Sequence, residues 1–195
     1  MHIKDCLKGI LFVSGLLAAT VAGAHTPVPA GDTMLAGFLH PLSGWDHLLA
    51  MLAIGLWISR QAGTTRHYLP LMFAGVMMAG AILGHSGVLA LPLLEAGIAG
   101  TLLLLGLLLV FAVRLPVLPA LLMTGVFAAV HGYAHGFGMS QQASPVAFGL
   151  GFMLAAAALP ALVAWLGRHL PGAATLTLLR AGGIATGTTG VLLLV

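Results

Sequence analysis

The stretch HPLSGWDHLLAMLAIGLWISR, residues 40–60, opens with two histidines and an aspartate and then continues in apolar residues up to an arginine. An apolar run of this length predicts a helix that crosses a membrane. Ionisable side chains inside such a segment are costly in hydrocarbon, so their presence predicts a functional site. The polar groups in question are His40, Asp46 and His47.

The composition of the whole chain is that of an integral membrane protein. Of its 195 residues, 60% are hydrophobic and only 6% are charged, whereas a soluble domain carries roughly a quarter charged residues. The net charge of +3 comes from single, scattered basic residues. Because they form no basic stripe, nucleic-acid binding is not expected, and the predicted surroundings are membrane lipid.

The first 24 residues have the pattern of a secretory signal peptide. Lys4 and Lys8 precede a short apolar core, and residues 22–24 (AGA) match an A-x-A cleavage site. Cleavage there removes Cys6, the only cysteine, so the mature chain begins at His25 and contains no thiol. The alternative is an uncleaved first transmembrane helix.

Six further apolar segments predict an all-α integral membrane domain over residues 25–195, built as a bundle of six transmembrane helices. Two glycine pairs with small-x-x-x-small spacing, Gly80/Gly84 and Gly183/Gly187, predict close helix packing. The predicted spans are 34–58, 69–87, 93–112, 115–134, 145–167 and 175–194.

The first of these spans is expected to be interrupted. Proline fits the opening turn of a helix better than its interior, so we predict a break at Pro41, with Ser43 capping a new helix from Gly44. His40 and His47 are seven residues apart and share a face only if the helix continues across the proline.

The arginines predict the orientation of the bundle. When the spans are drawn, all the arginines of the mature chain fall on one side, which the positive-inside rule assigns to the cytoplasm. The protein is therefore expected in the cell inner membrane, with a periplasmic mature N-terminus. His67 and His169 lie beside arginines and are interpreted as solvated loop residues. The arginines are Arg60, Arg66, Arg114, Arg168 and Arg180.

With this topology, ionisable groups from four helices share one outer layer, while the inner half of the bundle is almost entirely apolar. His131 and His135 are one helical turn apart, so both imidazoles can approach one ion. Imidazole and carboxylate ligands without sulfur favour Ni²⁺, Co²⁺, Zn²⁺ or Cu²⁺. The candidate ligands are His40, Asp46, His47, His131 and His135, with weaker candidates at His85, Glu95 and the amine and imidazole of His25.

Each polar residue also has a simpler interpretation. A packed polar network is the alternative to metal binding for the histidine pairs. Asp46 would complete a capping pair with Ser43, and Glu95 would be a helix-start carboxylate. The stretch GHSG around His85 matches a serine-protease pattern, but its serine closes a helix, and the metalloprotease pattern H-E-x-x-H is absent. We therefore expect no enzyme.

Both histidine motifs resemble those of the HupE/UreJ family. HPLSGWDHLLAMLAIGLW contains the family's histidine, five residues, then Asp-His, and HGYAHG at residues 131–136 is similar to its second motif. The signal sequence, the six spans and the length also agree, so the resemblance covers the whole chain. The family's second motif usually ends in a glutamate, where this chain has Gly138, and an aromatic residue usually precedes it, where this chain has Val130.

The resemblance implies a nickel or cobalt permease, an accessory protein of hydrogenase or urease. Its functional positions would be the five candidate ligands named above, and Glu95 is considered as a replacement for the missing carboxylate. The ion is then transported cargo, no cofactor is expected to stay bound, and nickel-enzyme maturation proteins are the implied partners. A metal-binding or delivery protein that does not transport is the alternative, because no chain of polar side chains leads inward.

Overall fold

The computed structural model describes residues 33–88, 91–138 and 145–195, apart from the side chains of Asp46 and Pro145. The predicted signal peptide, its cleavage site and His25 lie outside these ranges. The secondary structure of the described residues is entirely helical. The helices are α1 (Met34–Ser43), α2 (Trp45–Ser59), α3 (Thr65–Ser86), α4 (Leu94–Val110), α5 (Val117–Phe137), α6 (Pro145–His169) and α7 (Gly172–Leu192).

These helices follow the predicted apolar segments, and three of them, α3, α5 and α6, are long and apolar enough to cross a membrane. The α4 helix is apolar but has 17 residues, about 26 Å at 1.5 Å per residue, slightly less than a bilayer core of about 30 Å. The α7 helix has 21 residues but a lower hydropathy, because it contains Arg180 and several threonines and glycines. The all-helical, membrane-type fold is confirmed, and the number of spans stays a prediction.

The first predicted span is divided into two helices, and the division does not occur where the sequence placed it. The α1 helix continues through Pro41 to Ser43, and α2 begins after Gly44 at an angle of 83° to α1. The Ser43 hydroxyl donates to the His40 carbonyl at 2.7 Å, and α2 has no side-chain cap. The predicted break at Pro41 and cap at Ser43 are therefore wrong. The proline is tolerated because α1 ends within the same turn.

Glycines bring the backbones of α3 and α5 into direct contact. A Cβ atom on any of four glycines would overlap a carbonyl of the other helix. Residue numbers increase in the same direction along both helices at these contacts, so the helices are parallel. Close packing at Gly80/Gly84 is thus confirmed. The carbonyls met by Gly80, Gly84, Gly132 and Gly136 are those of Ala129, Tyr133, Met77 and Ala81, respectively.

A second glycine contact joins α4 and α7, which are antiparallel. A Cβ on Gly183 would lie 2.7 Å from the Gly106 carbonyl oxygen, and one on Gly190 would lie 2.7 Å from the Ala99 carbonyl oxygen. A Cβ on Gly187 would make an ordinary contact of 3.8 Å with the Gly106 Cα. In the predicted pair Gly183/Gly187, the tight contact is therefore made by Gly183.

The histidines of the two motifs lie toward one end of the bundle, and Arg60 and Arg66 lie at the other. The parallel helices α3 and α5 carry His85 and His135 in their last turns, while Arg66 lies in the first turn of α3. The α2 helix runs the opposite way, from His47 to Arg60. We call these the histidine end and the arginine end. The compartment that each end faces stays a prediction.

Two histidines predicted to lie in loops belong to helices. His67 is in the first turn of α3, where its Nε2 accepts a hydrogen bond from Arg66 Nε at 3.3 Å. His169 is the last residue of α6, with its Nδ1 2.7 Å from the Trp165 carbonyl oxygen. Both are exposed, as predicted. The loop prediction is wrong because both helices extend one turn beyond their apolar runs.

At the arginine end, hydrogen bonds fasten α2 to the connection between α4 and α5. Trp57, which is 1% exposed, donates from Nε1 to the Val113 carbonyl at 3.1 Å. Gln61, which is 3% exposed, accepts from the Leu115 backbone N–H at 3.3 Å. These contacts close the arginine end around a buried tryptophan.

Candidate metal site

Four imidazoles from three helices meet near the histidine end. The ring centroid of His135 lies 4.1 Å from that of His47 and 5.2 Å from that of His40. The centroids of His47 and His131 are 6.2 Å apart. We call His40, His47, His131 and His135 the imidazole cluster. Both sequence motifs thus contribute to one place, although about 90 residues separate them.

The α5 part of the cluster follows directly from the HGYAHG motif. Successive helix residues project about 100° apart, so each glycine of the motif lies on a different face from the histidine before it. Gly132 and Gly136 press against the α3 backbone, which leaves His131 and His135 on the side of α2. Both histidines are buried, with 5% and 9% exposure. The prediction that they share a face is confirmed.

The other two imidazoles arrive by a route that the sequence did not predict. His40 is near the end of α1 and His47 is in the first turn of α2, and the turn at Gly44 separates them. The continuous-helix arrangement is excluded by the 83° angle between the helices. Both rings nevertheless contact His135, because α1 and α2 each pack against α6, whose Phe152 ring also contacts His135.

Aromatic side chains of α6, which sequence reasoning missed, form one wall of the cluster. The Phe152 ring centroid lies 4.8 Å from that of His135, and the Phe148 centroid lies 5.3 Å from that of His40. Phe152 is 3% exposed. Aromatic residues in an apolar segment carry no sequence signal that separates a site wall from ordinary packing. Their effect is to surround the imidazoles with hydrocarbon, which strengthens electrostatic interactions there.

The distances between ring centroids can be compared with those expected for two imidazoles that bind the same metal ion. Metal–nitrogen bonds of ~2.1 Å place an ion about 3.2 Å from each ring centroid, so two rings on one ion have centroids no more than about 6.5 Å apart. Three of the six ring pairs, His47–His135, His40–His135 and His47–His131, fall within this limit, at 4.1, 5.2 and 6.2 Å, respectively.

The nitrogen atoms themselves are not yet arranged around one point. No group of three described His, Cys, Asp or Glu side chains is placed to hold a metal ion. Binding therefore requires rotation of imidazole side chains from the edge-on and tilted orientations that they adopt. The carboxylate of Asp46, the remaining predicted ligand, lies outside the described side chains.

A threonine contacts the cluster from α4. The Thr101 Oγ1 atom lies 3.0 Å from His131 Nε2 and donates a hydrogen bond to the Ile98 carbonyl at 2.7 Å. Thr101 is buried, with 8% exposure. A threonine within a leucine-rich helix has no recognisable spacing, so the sequence does not single out Thr101 as a site residue. Its isolation as a hydroxyl in the stretch IAGTLLLLG was the available signal.

Three other residues that the sequence singled out, Glu95, Gly138 and Ser86, lie outside the imidazole cluster. Glu95 is exposed in the first turn of α4 and fits the helix-start interpretation. Gly138, where the family has a glutamate, is the C-cap of α5. Ser86 ends α3, and its hydroxyl donates to the Leu83 carbonyl at 2.7 Å. Such a bond is typical of a serine at the end of a helix, and it does not activate the hydroxyl as a nucleophile.

Two cavities flank His135. A small cavity of about 10 Å³ lies beneath the imidazoles and is lined by His47, His131, His135 and Thr101, with apolar residues below them. A larger cleft of about 230 Å³ lies between α3, α5 and α6 and reaches His85 at the histidine end. His135 lines both cavities, so its ring stands between the cleft and the interior of the bundle.

Comparisons with known proteins identify the family of the chain. The family model described as HupE / UreJ protein matches residues 12–193. The chain is similar to Protein HupE of Rhizobium leguminosarum bv. viciae, with 37% identity over 183 residues that cover 94% of this chain and 95% of that protein. No solved structure matches significantly. The match over nearly the full length shows that the chain belongs to the HupE/UreJ family.

Proposed function

We propose that this protein is a secondary transporter that captures Ni²⁺, or Co²⁺, at the imidazole cluster and passes it into the cell for hydrogenase or urease maturation. The observation that carries the proposal is the convergence of His40, His47, His131 and His135 from α1, α2 and α5. Sulfur-free imidazole donors suit borderline divalent metals, and HupE/UreJ proteins are associated with nickel enzymes.

The chemistry of capture follows from the donors. A hydrated divalent cation loses water when it enters an apolar layer, and imidazole nitrogens replace the lost ligands one for one. Neutral imidazoles carry no charge of their own, so the four imidazoles by themselves leave the ion's double positive charge in place. Under the proposed orientation, with the histidine end in the periplasm, the membrane potential favours inward movement by about 4.6 kcal/mol per 100 mV. No Walker motif is present in the sequence to supply ATP hydrolysis.

The two cavities supply a direction for the path. An ion would reach His135 through the cleft beside His85 and then enter the small cavity below His47 and His131. Beyond that point the arginine end is closed by Trp57 and Gln61. Release into the cytoplasm would therefore require these contacts to open, as expected for a transporter that exposes its site to one side at a time.

The second candidate is a metal-binding or delivery protein without transport. The observation in its favour is the lining of the small cavity below Thr101, which consists of Met51, Ile54, Phe73 and other apolar side chains. Such a lining offers an ion few ligands on its way inward. The two candidates share the imidazole cluster and differ only in what happens after binding.

Nickel uptake into proteoliposomes separates the candidates. Vesicles with purified protein would contain a trapped metal-sensitive dye, and external Ni²⁺ would be added under an inside-negative potential. The transporter fills the vesicles, His135→Ala abolishes most of this uptake, and His67→Ala, at the arginine end, does not. Binding of nickel by the wild type in detergent without uptake would contradict transport and support the delivery protein. Absence of both would contradict the proposal.

A further inference from the structure

The hydrogen bond between Thr101 and His131 indicates which ring nitrogen of His131 carries a proton. The His131 imidazole lies above the small cavity. A threonine hydroxyl has one proton to donate and lone pairs to accept with. Thr101 Oγ1 is 2.7 Å from the Ile98 carbonyl oxygen and 3.0 Å from His131 Nε2. Both are hydrogen-bonding distances, so the two contacts have to divide donation and acceptance between them.

The Ile98 carbonyl determines which of the two contacts receives the Thr101 proton. The Ile98 oxygen can only accept, and two oxygen atoms at 2.7 Å repel unless a proton lies between them. The single hydroxyl proton of Thr101 therefore points to Ile98. The contact with His131 must then be a hydrogen bond in which the ring N–H donates and the Thr101 oxygen accepts.

The geometry points to Thr101 as a positioning residue that sets the tautomer of His131, with the proton on Nε2 and the lone pair on Nδ1. Nδ1 is then the atom that coordinates the transported ion, a consequence that rests on the proposed function. A ligating histidine commonly donates its second N–H to a protein acceptor, which orients the ring and makes the ligating nitrogen more basic. Here that acceptor is a hydroxyl of α4.

This role requires that α4 be held beside α5 at a fixed position along the helix axis. Thr101 lies two residues beyond Ala99, whose carbonyl is in close contact with Gly190 of α7. Thr101 is buried, with 8% exposure, and lines the small cavity together with His131. Loss of the hydroxyl would leave His131 Nε2–H without this acceptor and would allow the other tautomer, in which Nδ1 carries the proton and is blocked for binding.

Substitutions with matched shapes test the assignment. Thr101→Val removes the hydroxyl at nearly constant volume, and Thr101→Ser keeps it. Thr186→Val is the control, since Thr186 is also buried and donates to its own helix at Gly182 (2.7 Å) but lies in α7. We expect Thr101→Val to weaken Ni²⁺ binding in detergent by about 10- to 100-fold. Thr101→Ser and Thr186→Val should bind nearly as the wild type does.

A spectroscopic measurement keeps this inference independent of transport. Two-bond proton–nitrogen correlation spectra of the metal-free wild type, with His131 assigned through His131→Gln, report which ring nitrogen is protonated. Protonation at Nε2 is the expected result, and protonation at Nδ1 would overturn the inference. Equal binding by the Thr101→Val protein, or failure of Thr101→Ser to restore binding, would also overturn it. If the wild type binds no nickel while His131 is protonated at Nε2, the permease proposal fails and the tautomer assignment stands.

Discussion

Two of the helix pairs that glycines bring into backbone contact differ in what they carry. In α3–α5 and in α4–α7, glycines let the backbones touch. Every close glycine of α5 directly follows a histidine, whereas neither α4 nor α7 contains a histidine. The comparison shows that glycine contacts bring two helices together whether or not histidines lie beside them. A site arises where each contact also fixes the direction of a neighbouring imidazole.

The largest expected effect is at the contact that carries the site. Gly136→Ala would place a Cβ against the Ala81 carbonyl, so α5 must move away from α3 and take His135 with it. We expect a loss of about 1–3 kcal/mol in the free energy of unfolding, together with loss of most nickel binding. Thermal unfolding and nickel titration of the same detergent preparation would measure both.

The corresponding change in the other pair is the control. Gly183→Ala also forces a Cβ against a backbone carbonyl, that of Gly106 at 2.7 Å, and should lower the unfolding temperature to a similar extent. Its folded fraction should keep most of its nickel binding, because α4 and α7 carry no histidine and the change reaches the imidazole cluster only through Thr101. Equal losses of binding in the two variants would show that the pairs do not differ as described.

Within the imidazole cluster, single substitutions should be nearly as damaging as double ones. His47→Ala and His131→Ala are each expected to remove most nickel uptake, since the remaining donors cannot complete the coordination of the ion. The double variant should add little, as for residues that act as one unit. The exposed residues His67 and His169 provide alanine controls. Independent, multiplicative losses in the double variant would indicate separate sites.

Acidification should weaken nickel binding without a matching loss of fold. Each coordinating imidazole must be neutral, so protons compete with the metal. The affinity for nickel therefore falls as pH falls, by up to about tenfold per pH unit for each imidazole that must lose a proton. Nickel titrations across the range in which histidine ionises would measure this slope. A flat profile would mean that the binding groups are not histidines.

A smaller effect is expected at the arginine end. Trp57→Phe removes the donor to the Val113 carbonyl, a bond of 3.1 Å, and should cost about 1 kcal/mol of stability. The affinity for nickel should not change, since the imidazole cluster lies at the opposite end of the bundle. A change in affinity comparable to that of a cluster variant would show that the two ends are coupled in the binding step.

The parts of this structure that sequence reasoning found are those encoded within one helix. The one-turn spacing of His131 and His135 and the pairing of Gly80 with Gly84 depend only on helical periodicity, and both were confirmed. The position of His40 depends on the turn at Gly44, where a glycine in an extended conformation ended the helix and the preceding proline did not. No periodicity encodes such a turn.

Contacts between helices that are distant in sequence were predicted less completely. The two motifs were expected to converge, but the role of Thr101 depends on the height at which α4 packs beside α5. That height follows from glycine contacts with a third helix. The aromatic wall of Phe148 and Phe152 was missed for the same reason, because a phenylalanine in an apolar helix has the same sequence pattern whether it faces lipid or a site.

The central claim is that histidines of both motifs bind one ion together. X-ray absorption spectroscopy of the purified protein, loaded with one equivalent of Ni²⁺, tests it most directly. The account predicts outer-shell scattering from several imidazole rings on a single nickel, reduced in His131→Ala and unchanged in His67→Ala. A spectrum of hydrated nickel, or one with the same imidazole scattering after loss of His131, would contradict it.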